Sequence, residues 1–257
     1  NYKTLAVGKW HLGAHESLRP LNRGFDEFFG FLTGGHQYFP EQWNLADETE
    51  VKCNFCAYRT KLLRNEERID EKDYLTDALS RETVSFIERS SNSPFFIYLA
   101  YNAPHGPLQA TEKYLKKYSH IKDKRRKTYA AMVSSIDDGV GDIVSALKEK
   151  NIYNNTIIYF LSDNGGAKSN ASNNAPLNSH KGTLYEGGIR IPFVMQWPDE
   201  IKGGTIFTKP IISLDIFATS KAIINPDLEL KNKIHGKDLL PFIKGFDNGY
   251  PHEYLYW

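Results

Sequence analysis

The stretch TIIYFLSDNGG, residues 156–166, sets an apolar run directly against a polar turn. Residues 156–161 are nearly all apolar, which is typical of a strand buried on both faces. Asp163 and Asn164 follow, ahead of two glycines. These residue types favour a tight turn, and by itself the stretch favours that interpretation. A carboxylate and an amide carbonyl are also hard oxygen ligands, which suit calcium or magnesium.

Three further apolar runs alternate with helical patterns along the chain. The runs cover residues 2–7, 95–101 and 192–197. Apolar residues recur at helical spacing over residues 73–90, 127–150 and 214–223. Strands that alternate with helices predict an α/β fold, and continuous apolar strands predict a mostly parallel sheet sandwiched by helices.

Residues 31–73 lack clear periodicity and hold both cysteines, Cys53 and Cys56. We expect this segment to form a long excursion over the mouth of the sheet. A lone C-x-x-C is compatible with half a zinc site, a redox pair, a local disulfide or two unpaired thiols. Since no second Cys/His cluster has zinc-finger spacing, structural zinc is not expected.

Length and charge exclude few functions. The 257 residues suffice for one large domain or two small ones. Lys and Arg number 32 against 31 Asp and Glu, a formal charge of +1, so no general attraction to nucleic acid or membranes is expected. No apolar run reaches transmembrane length. The chain opens without Met inside a strand-like segment, and both ends are expected to be internal to a longer protein. The oligomeric state stays open.

Polar residues collect after the predicted strands, at the edge where open α/β sheets bind ligands. GKWHLG follows the first run, NAPHGP the second and SDNGG the third, and NSHKGTLYEGGIRIPF leads into the fourth. Two fixed ammonium groups and a divalent cation would neutralise a tetrahedral oxyanion, and a histidine can protonate a leaving oxygen. That set fits hydrolysis of a sulfate or phosphate ester, although each residue alone also suits an ordinary surface or loop role. The side chains expected to converge on one rim are Lys9, His11, His105, Asp163, Asn164 and Lys181.

Four motifs in this order, GKWHLG, APHGPLQ, SDNGG and HKGTLYEGGIRIPFV, resemble those of type I sulfatases of the alkaline-phosphatase superfamily. The likeness covers nearly the whole chain, and residues 111–166 are most similar to the arylsulfatase B and N-acetylgalactosamine-sulfatase branch. It implies a sulfuric-ester hydrolase that acts on a sulfated carbohydrate or an aryl sulfate. It also implies a calcium ion, a formylglycine nucleophile made from a C/S-x-P-x-R motif, and a periplasmic, secreted or lysosomal location.

The resemblance assigns roles to the matching positions. Asp163 and Asn164 would be calcium ligands, and Lys9 and Lys181 would contact sulfate oxygens. His11 would hydrogen-bond the formylglycine and help collapse the hemiacetal sulfate.

Three further histidines lie near these motifs. His105 would be the general acid for the leaving-group oxygen. His36 is a candidate for contact with the substrate sugar, although a structural role in its loop is about equally compatible with the sequence. His180, next to the lysine of its motif, is a weaker candidate for substrate contact. Glu186 and Arg190 are expected to form a structural pair.

The sequence departs from the family pattern in several places. No C/S-x-P-x-R motif is present, neither cysteine fits one, and the paired N-terminal aspartates of the calcium site are absent. We therefore expect residues 1–257 to be part of a catalytic domain, without the nucleophile strand and most of the small C-terminal domain, and to be inactive alone. The alternatives are a phosphatase or phosphodiesterase of the same superfamily, or an inactive protein that binds sulfated glycans.

Overall fold

The computed structural model describes residues 2–257, and the first part of the chain forms a mixed sheet of five strands. The strands are β1 (Lys3–Lys9), β2 (Glu27–Phe31), β3 (Leu62–Arg64), β4 (Glu67–Ile69) and β5 (Phe95–Ala100). Their order in the sheet is β4-β3-β2-β1-β5. β1 pairs in parallel with both β2 and β5, whereas β3 pairs antiparallel with β2 and β4.

The helices of this part are α1 (Leu75–Ser90), α2 (Glu112–Lys117) and α3 (Lys124–Glu149). Because alternate residues of a strand point to opposite faces, β1 contributes side chains to two hydrophobic cores. Leu5 and Val7 pack with residues of α1 and α3, whereas Ala6 packs with Trp10 and Phe28 on the other face. The predicted helices over residues 73–90 and 127–150 are therefore confirmed, and α3 begins three residues earlier than its apolar pattern.

The chain divides into two compact units. The first unit comprises Asn1–Ile152 and Gly166–Pro176, and contains the five-stranded sheet. The second comprises Tyr153–Gly165 and Leu177–Trp257. The regular elements of the second unit are β6 (Ile158–Leu161), α4 (Glu186–Ile189), β7 (Phe193–Gln196), α5 (Leu214–Ile224) and α6 (Leu240–Ile243).

Two features of the sheet correct the sequence-based expectations. β6 and β7 form a separate antiparallel pair, so the prediction that all four apolar runs end at one edge of a parallel sheet was wrong in detail. Hydrophobic runs identify strands but do not specify their direction of pairing. Residues 31–73 contain β3 and β4, which extend the sheet through β2 rather than only crossing over its mouth.

The two cysteines form a local disulfide, with 5.3 Å between the Cα atoms of Cys53 and Cys56. The structure thus shows the local disulfide that the C-x-x-C spacing left open. Among the described residues, no helix is both long enough and apolar enough to cross a membrane.

Candidate active site

The turn after β6 is formed without a hydrogen bond or ion pair from its acidic side chain, that of Asp163, to any residue that the structure describes. Ser162 Oγ donates to the Asn164 carbonyl at 2.7 Å, and Asn164 Nδ2 donates to the Gly165 carbonyl at 3.1 Å. The turn is therefore closed by Ser162 and Asn164. Asp163 is exposed, and within residues 2–257 its carboxylate takes part in no hydrogen bond or ion pair. An acid needed only for the turn would bond to the backbone, so the geometry favours the ligand interpretation.

Backbone contacts at three glycines join this turn to the lysine loop, residues 178–185. Gly165 N donates to the Gly188 carbonyl at 3.0 Å, and a Cβ at Gly165 would lie 1.8 Å from the carbonyl oxygen of Gly187. A Cβ at Gly187 would in turn lie 2.3 Å from the Ser179 carbonyl. Only glycine permits approaches this close. This role of the glycines was not predicted, although the doubled glycines of DNGG and YEGG are visible in the sequence.

The antiparallel pairing explains why the turn and the loop meet. Leu161, the last residue of β6, pairs with Phe193, the first residue of β7. The turn that follows β6 and the segment that precedes β7 therefore share one end of the pair. Asp163 and Lys181 are thus brought to the same end by a strand arrangement that the sequence analysis did not predict.

The lysine loop is held by its own hydrogen bonds. Thr183 Oγ1 donates to the His180 carbonyl at 2.7 Å, and His180 Nδ1 donates to the Lys181 carbonyl at 2.9 Å. Glu186 and Arg190 form the predicted pair at 3.4 Å, and both side chains are exposed. The loop therefore presents a half-buried Lys181 from a backbone that is fixed on both sides.

In the first unit, Lys9 ends β1 and His11 follows it on the left-handed backbone, with φ of 55°. Trp10 between them is buried, and its Nε1 donates to the Leu18 carbonyl at 2.8 Å. His11 N donates to the Leu32 carbonyl at 3.2 Å. The buried indole and these backbone bonds turn the chain sharply after the strand.

His105 follows the neighbouring strand. β1 and β5 are parallel, with Gly8 opposite Ala100, so the segments that follow them lie at one edge of the sheet. His105 Nδ1 donates to the Gly106 carbonyl at 2.8 Å, and Tyr38 Oη donates to the His105 carbonyl at 2.8 Å. Lys9, His11 and His105 therefore share an edge of the first unit, as predicted from the order of their motifs.

His36 is fully buried, and its ring lies 4.8 Å from Phe31 and 5.3 Å from Trp43, measured between centroids. Its Nδ1 and Nε2 face the carbonyls of Gln37 and Thr60 at 2.9 and 2.8 Å. Burial lowers the pKa of His36 to about 4. The structure therefore supports the structural role for His36 over contact with a sugar.

Asn102 is a polar residue of this region that the sequence analysis did not single out. It follows β5, is 3% exposed, and donates Nδ2 to the His36 carbonyl at 2.9 Å. The sequence feature that could have identified Asn102 is its position as the first polar residue after an apolar run. Asn102 thereby ties the segment that carries His105 to the segment that carries His36.

The donor set fits a hard cation in part. Asp163 and Asn164 supply a carboxylate and an amide oxygen, which are calcium-type ligands, whereas calcium takes roughly six to eight oxygens. Among the described residues, no group of three or more His, Cys, Asp or Glu side chains is arranged to hold a metal ion. These two residues can therefore form one side of a calcium site.

Comparison with known proteins identifies the family. The sulfatase family model matches residues 1–224. Arylsulfatase J of Mus musculus is 33% identical over 246 residues, which cover 93% of this chain and 39% of the mouse protein. N-acetylgalactosamine-6-sulfatase of Mus musculus is 34% identical over 258 residues, which cover 95% of this chain and 47% of that protein. The chain spans less than half the length of each of these relatives.

Comparison with solved structures supports the same family. The crystal structure of Ps i-CgsB in complex with k-i-k-neocarrahexaose has a TM-score of 0.91 and 45% identity, and the match covers 98% of this chain and 56% of that one. Its likeness confirms the predicted fold class, a mixed, mostly parallel sheet with helices of the alkaline-phosphatase-like type. The family match includes all four motifs that carry the candidate residues. This chain belongs to the sulfatase family.

Proposed function

We propose that the protein carrying this chain hydrolyses sulfuric esters of sugars. The observation that carries the proposal is the uncommitted Asp163 carboxylate, joined through glycine backbone contacts to the loop of Lys181. A structural turn has no need of either charge. An anionic substrate that is bound through a cation needs both, since a carboxylate holds the cation and an ammonium group neutralises the remaining negative charge.

The polar residues would have different roles in the reaction. Asp163 and Asn164 would hold calcium, which when bound supplies positive charge at the sulfate oxygens. Lys9 and Lys181 would add two ammonium groups that stabilise the charge developing on those oxygens. Both candidate lysines are half-buried, where solvent screens a charge less than at an open surface.

Two histidines of the first unit, His105 and His11, would contribute proton transfer and hydrogen bonding. In His105 the hydrogen bond from Nδ1 to the Gly106 carbonyl fixes the ring, and so assigns proton donation to Nε2. His105 would protonate the departing sugar oxygen. His11, at the turn after β1, would hydrogen-bond the nucleophile.

The nucleophile itself is proposed to be a formylglycine outside these 257 residues, because no C/S-x-P-x-R sequence occurs within them. Residues 1–257 would then be part of the catalytic domain and would not turn over substrate alone. We also propose an oxidising location, periplasmic, secreted or lysosomal, because the Cys53–Cys56 disulfide would persist there.

The substrate class is proposed to be a sulfated glycan. Ps i-CgsB, at 45% identity over 98% of this chain, was crystallised with a carrageenan-type hexaose. Carrageenan oligosaccharides are therefore the first substrates to test.

The test uses the full-length protein and measures sulfate released from sulfated carrageenan oligosaccharides and from nitrophenyl sulfate, and phosphate released from nitrophenyl phosphate. We expect sulfate release from the first two and no significant phosphate release. Faster phosphate release would identify a phosphatase of the same superfamily. Binding of the oligosaccharides without any turnover would identify an inactive glycan-binding protein.

A further inference from the structure

Positive charge is concentrated in one short segment of the first unit. Residues 112–127, EKYLKKYSHIKDKRRK, contain eight Lys or Arg and two Asp or Glu, a formal charge of +6. The whole chain has a formal charge of only +1. One sixteen-residue segment thus holds a quarter of the 32 cationic residues, and the rest of the chain is net acidic.

This basic segment, residues 112–127, covers α2 and the first turn of α3. Four cations, Lys124 to Lys127, occupy the start of the 26-residue α3, and no acid lies in its first turn. Asp123 caps the helix by accepting from Arg126 N at 2.7 Å. Cations at a helix N-terminus are unfavourable because they oppose the helix dipole. Helix stability therefore does not explain this placement of charge.

Internal pairing neutralises only part of the basic segment. Asp138 pairs with Lys113 at 3.1 Å and with Lys117 at 3.3 Å. Within residues 2–257, no carboxylate pairs with the other lysines of the segment, and three of these side chains are exposed. Those three are Lys116, Lys122 and Lys124.

Hydrogen bonds connect the basic segment to the loop of the candidate general acid. Arg125 donates to the Ser169 carbonyl, and Arg126 Nη1 donates to the Ala171 carbonyl at 3.1 Å. Between these two positions, Asn170 Nδ2 donates to the carbonyl of Pro104 at 3.3 Å, directly before His105. The start of α3 thus lies one short segment away from the His105 loop.

We propose that the basic segment binds sulfate groups of a sulfated polysaccharide on sugar units beyond the one that is cleaved. The inference rests on the proposed function, because a polymer placed with one ester at His105 would run beside the start of α3. Each sulfate carries one negative charge, and a flexible row of lysines can match charges repeated along a sugar chain. The segment would therefore raise affinity for polymers over single sulfated sugars.

The test compares two triple variants of the full-length protein. The first changes Lys116, Lys122 and Lys124 to Gln, and removes a helix-start cation, so it should fold at least as well as the wild type. The second makes the same charge change at three exposed lysines outside the basic segment, Lys52, Lys72 and Lys150. Lys150 follows the other end of α3, about 39 Å from Lys124 at 1.5 Å per residue.

We expect the first variant to bind sulfated carrageenan chains on the order of a hundredfold more weakly at low salt and with a shallower salt dependence, because each of the three lysines typically contributes about fivefold near an anionic surface. The second variant should bind like the wild type. Equal affinity of the two variants, equal binding of a chemically desulfated chain, or tighter binding of duplex DNA would overturn the proposal.

Hydrolysis of nitrophenyl sulfate separates this proposal from the proposed function. The small ester does not reach the basic segment, so the first variant should retain the wild-type rate on it while its KM for the polymer rises. If the wild-type protein cleaves neither substrate, and polymer binding is lost only in the first variant, the proposed hydrolase activity is refuted. The proposed binding of the polymer by the basic segment is then supported. A matching loss of nitrophenyl sulfate turnover would instead contradict a role confined to polymer binding.

Discussion

His252 Nε2 lies 2.7 Å from Oδ1 of Asp215, whose side chain is completely buried at the start of α5. The same carboxylate accepts from Lys237 N and Ile212 N, both at 2.8 Å. Asp215 thereby joins three separate segments of the second unit around one charge. A buried carboxylate is tolerated because these donors replace its water.

Asp215→Ala should therefore lower the free energy of unfolding by about 3–5 kcal/mol, as expected when one partner of a buried pair is removed. Urea unfolding of the wild type and the variant checks this. The control is Arg190→Ala in the exposed pair with Glu186, where the side chains are 67% and 61% exposed. It should cost less than about 1 kcal/mol, and an equal loss in both variants would contradict the assigned role of Asp215.

Two glycines in α3 should respond oppositely to alanine. A Cβ at Gly139 would lie 2.1 Å from Ser80 Oγ, whereas a Cβ at Gly141 meets nothing within 4 Å. Gly139→Ala should destabilise by about 1–3 kcal/mol through overpacking, and Gly141→Ala should stabilise by about 0.5–1 kcal/mol through helix propensity. Thermal unfolding of both variants measures the difference, and a shift in the same direction would refute the close contact between α1 and α3.

Stability should depend on the protonation of His36. Burial lowers its pKa from 6.5 to about 4, so between these values the unfolded chain binds more protons than the folded one. Stability from this group is full above pH 6.5 and falls as the pH decreases towards 4, by about 3 kcal/mol in total. Urea unfolding between pH 7 and 4.5 should show a shallower decline for His36→Gln than for the wild type. Parallel declines would argue against a neutral buried imidazole.

Substitutions of Asp163 and of His105 should impair the full-length protein in different ways. Asp163→Ala removes a proposed calcium ligand and its charge, so bound calcium measured by mass spectrometry should fall. Asp199→Ala, at another exposed acid of the second unit, should retain the metal. Retention of calcium by the Asp163 variant would remove that residue from the proposed site.

His105→Ala should spare the metal and slow release of the alcohol by about 10²–10⁴, the usual contribution of a general acid. The loss should be large for a sulfated sugar and small for nitrophenyl sulfate, because nitrophenolate leaves without protonation. Rates on the two substrates measure this, and an equal loss on both would exclude His105 as the acid.

Much of the fold could be predicted from local pattern. The runs at β1 and β5 and the periodicity of α1 and α3 are long and regular, and the structure has all four. β2 was missed because Glu27–Phe31 is short and lies beside irregular sequence. The direction of β7 was missed because it depends on contacts between segments, which no local pattern encodes.

The candidate site could be predicted in two parts. Lys9, His11 and His105 lie in the segments at one edge of the sheet because β1 and β5 are parallel. The segments of Asp163 and Lys181 are joined for a different reason, through an antiparallel pair and glycine contacts. Convergence of both groups on one cleft stays a prediction. Burial of His36 could not be predicted, because its ring lies between Phe31 and Trp43 and faces the Thr60 carbonyl, and these contacts depend on the path of a loop without periodic sequence.

The backbone contacts at Gly165, Gly187 and Gly188 determine which parts of the lysine loop can tolerate substitution. Main-chain atoms are the same in every residue, so a scaffold joined by main chain alone is insensitive to mutation of the side chains around it. Leu184 and Tyr185 in the lysine loop are 72% and 62% exposed. Substitution of either residue should therefore leave the backbone that carries Asp163 and Lys181 in place.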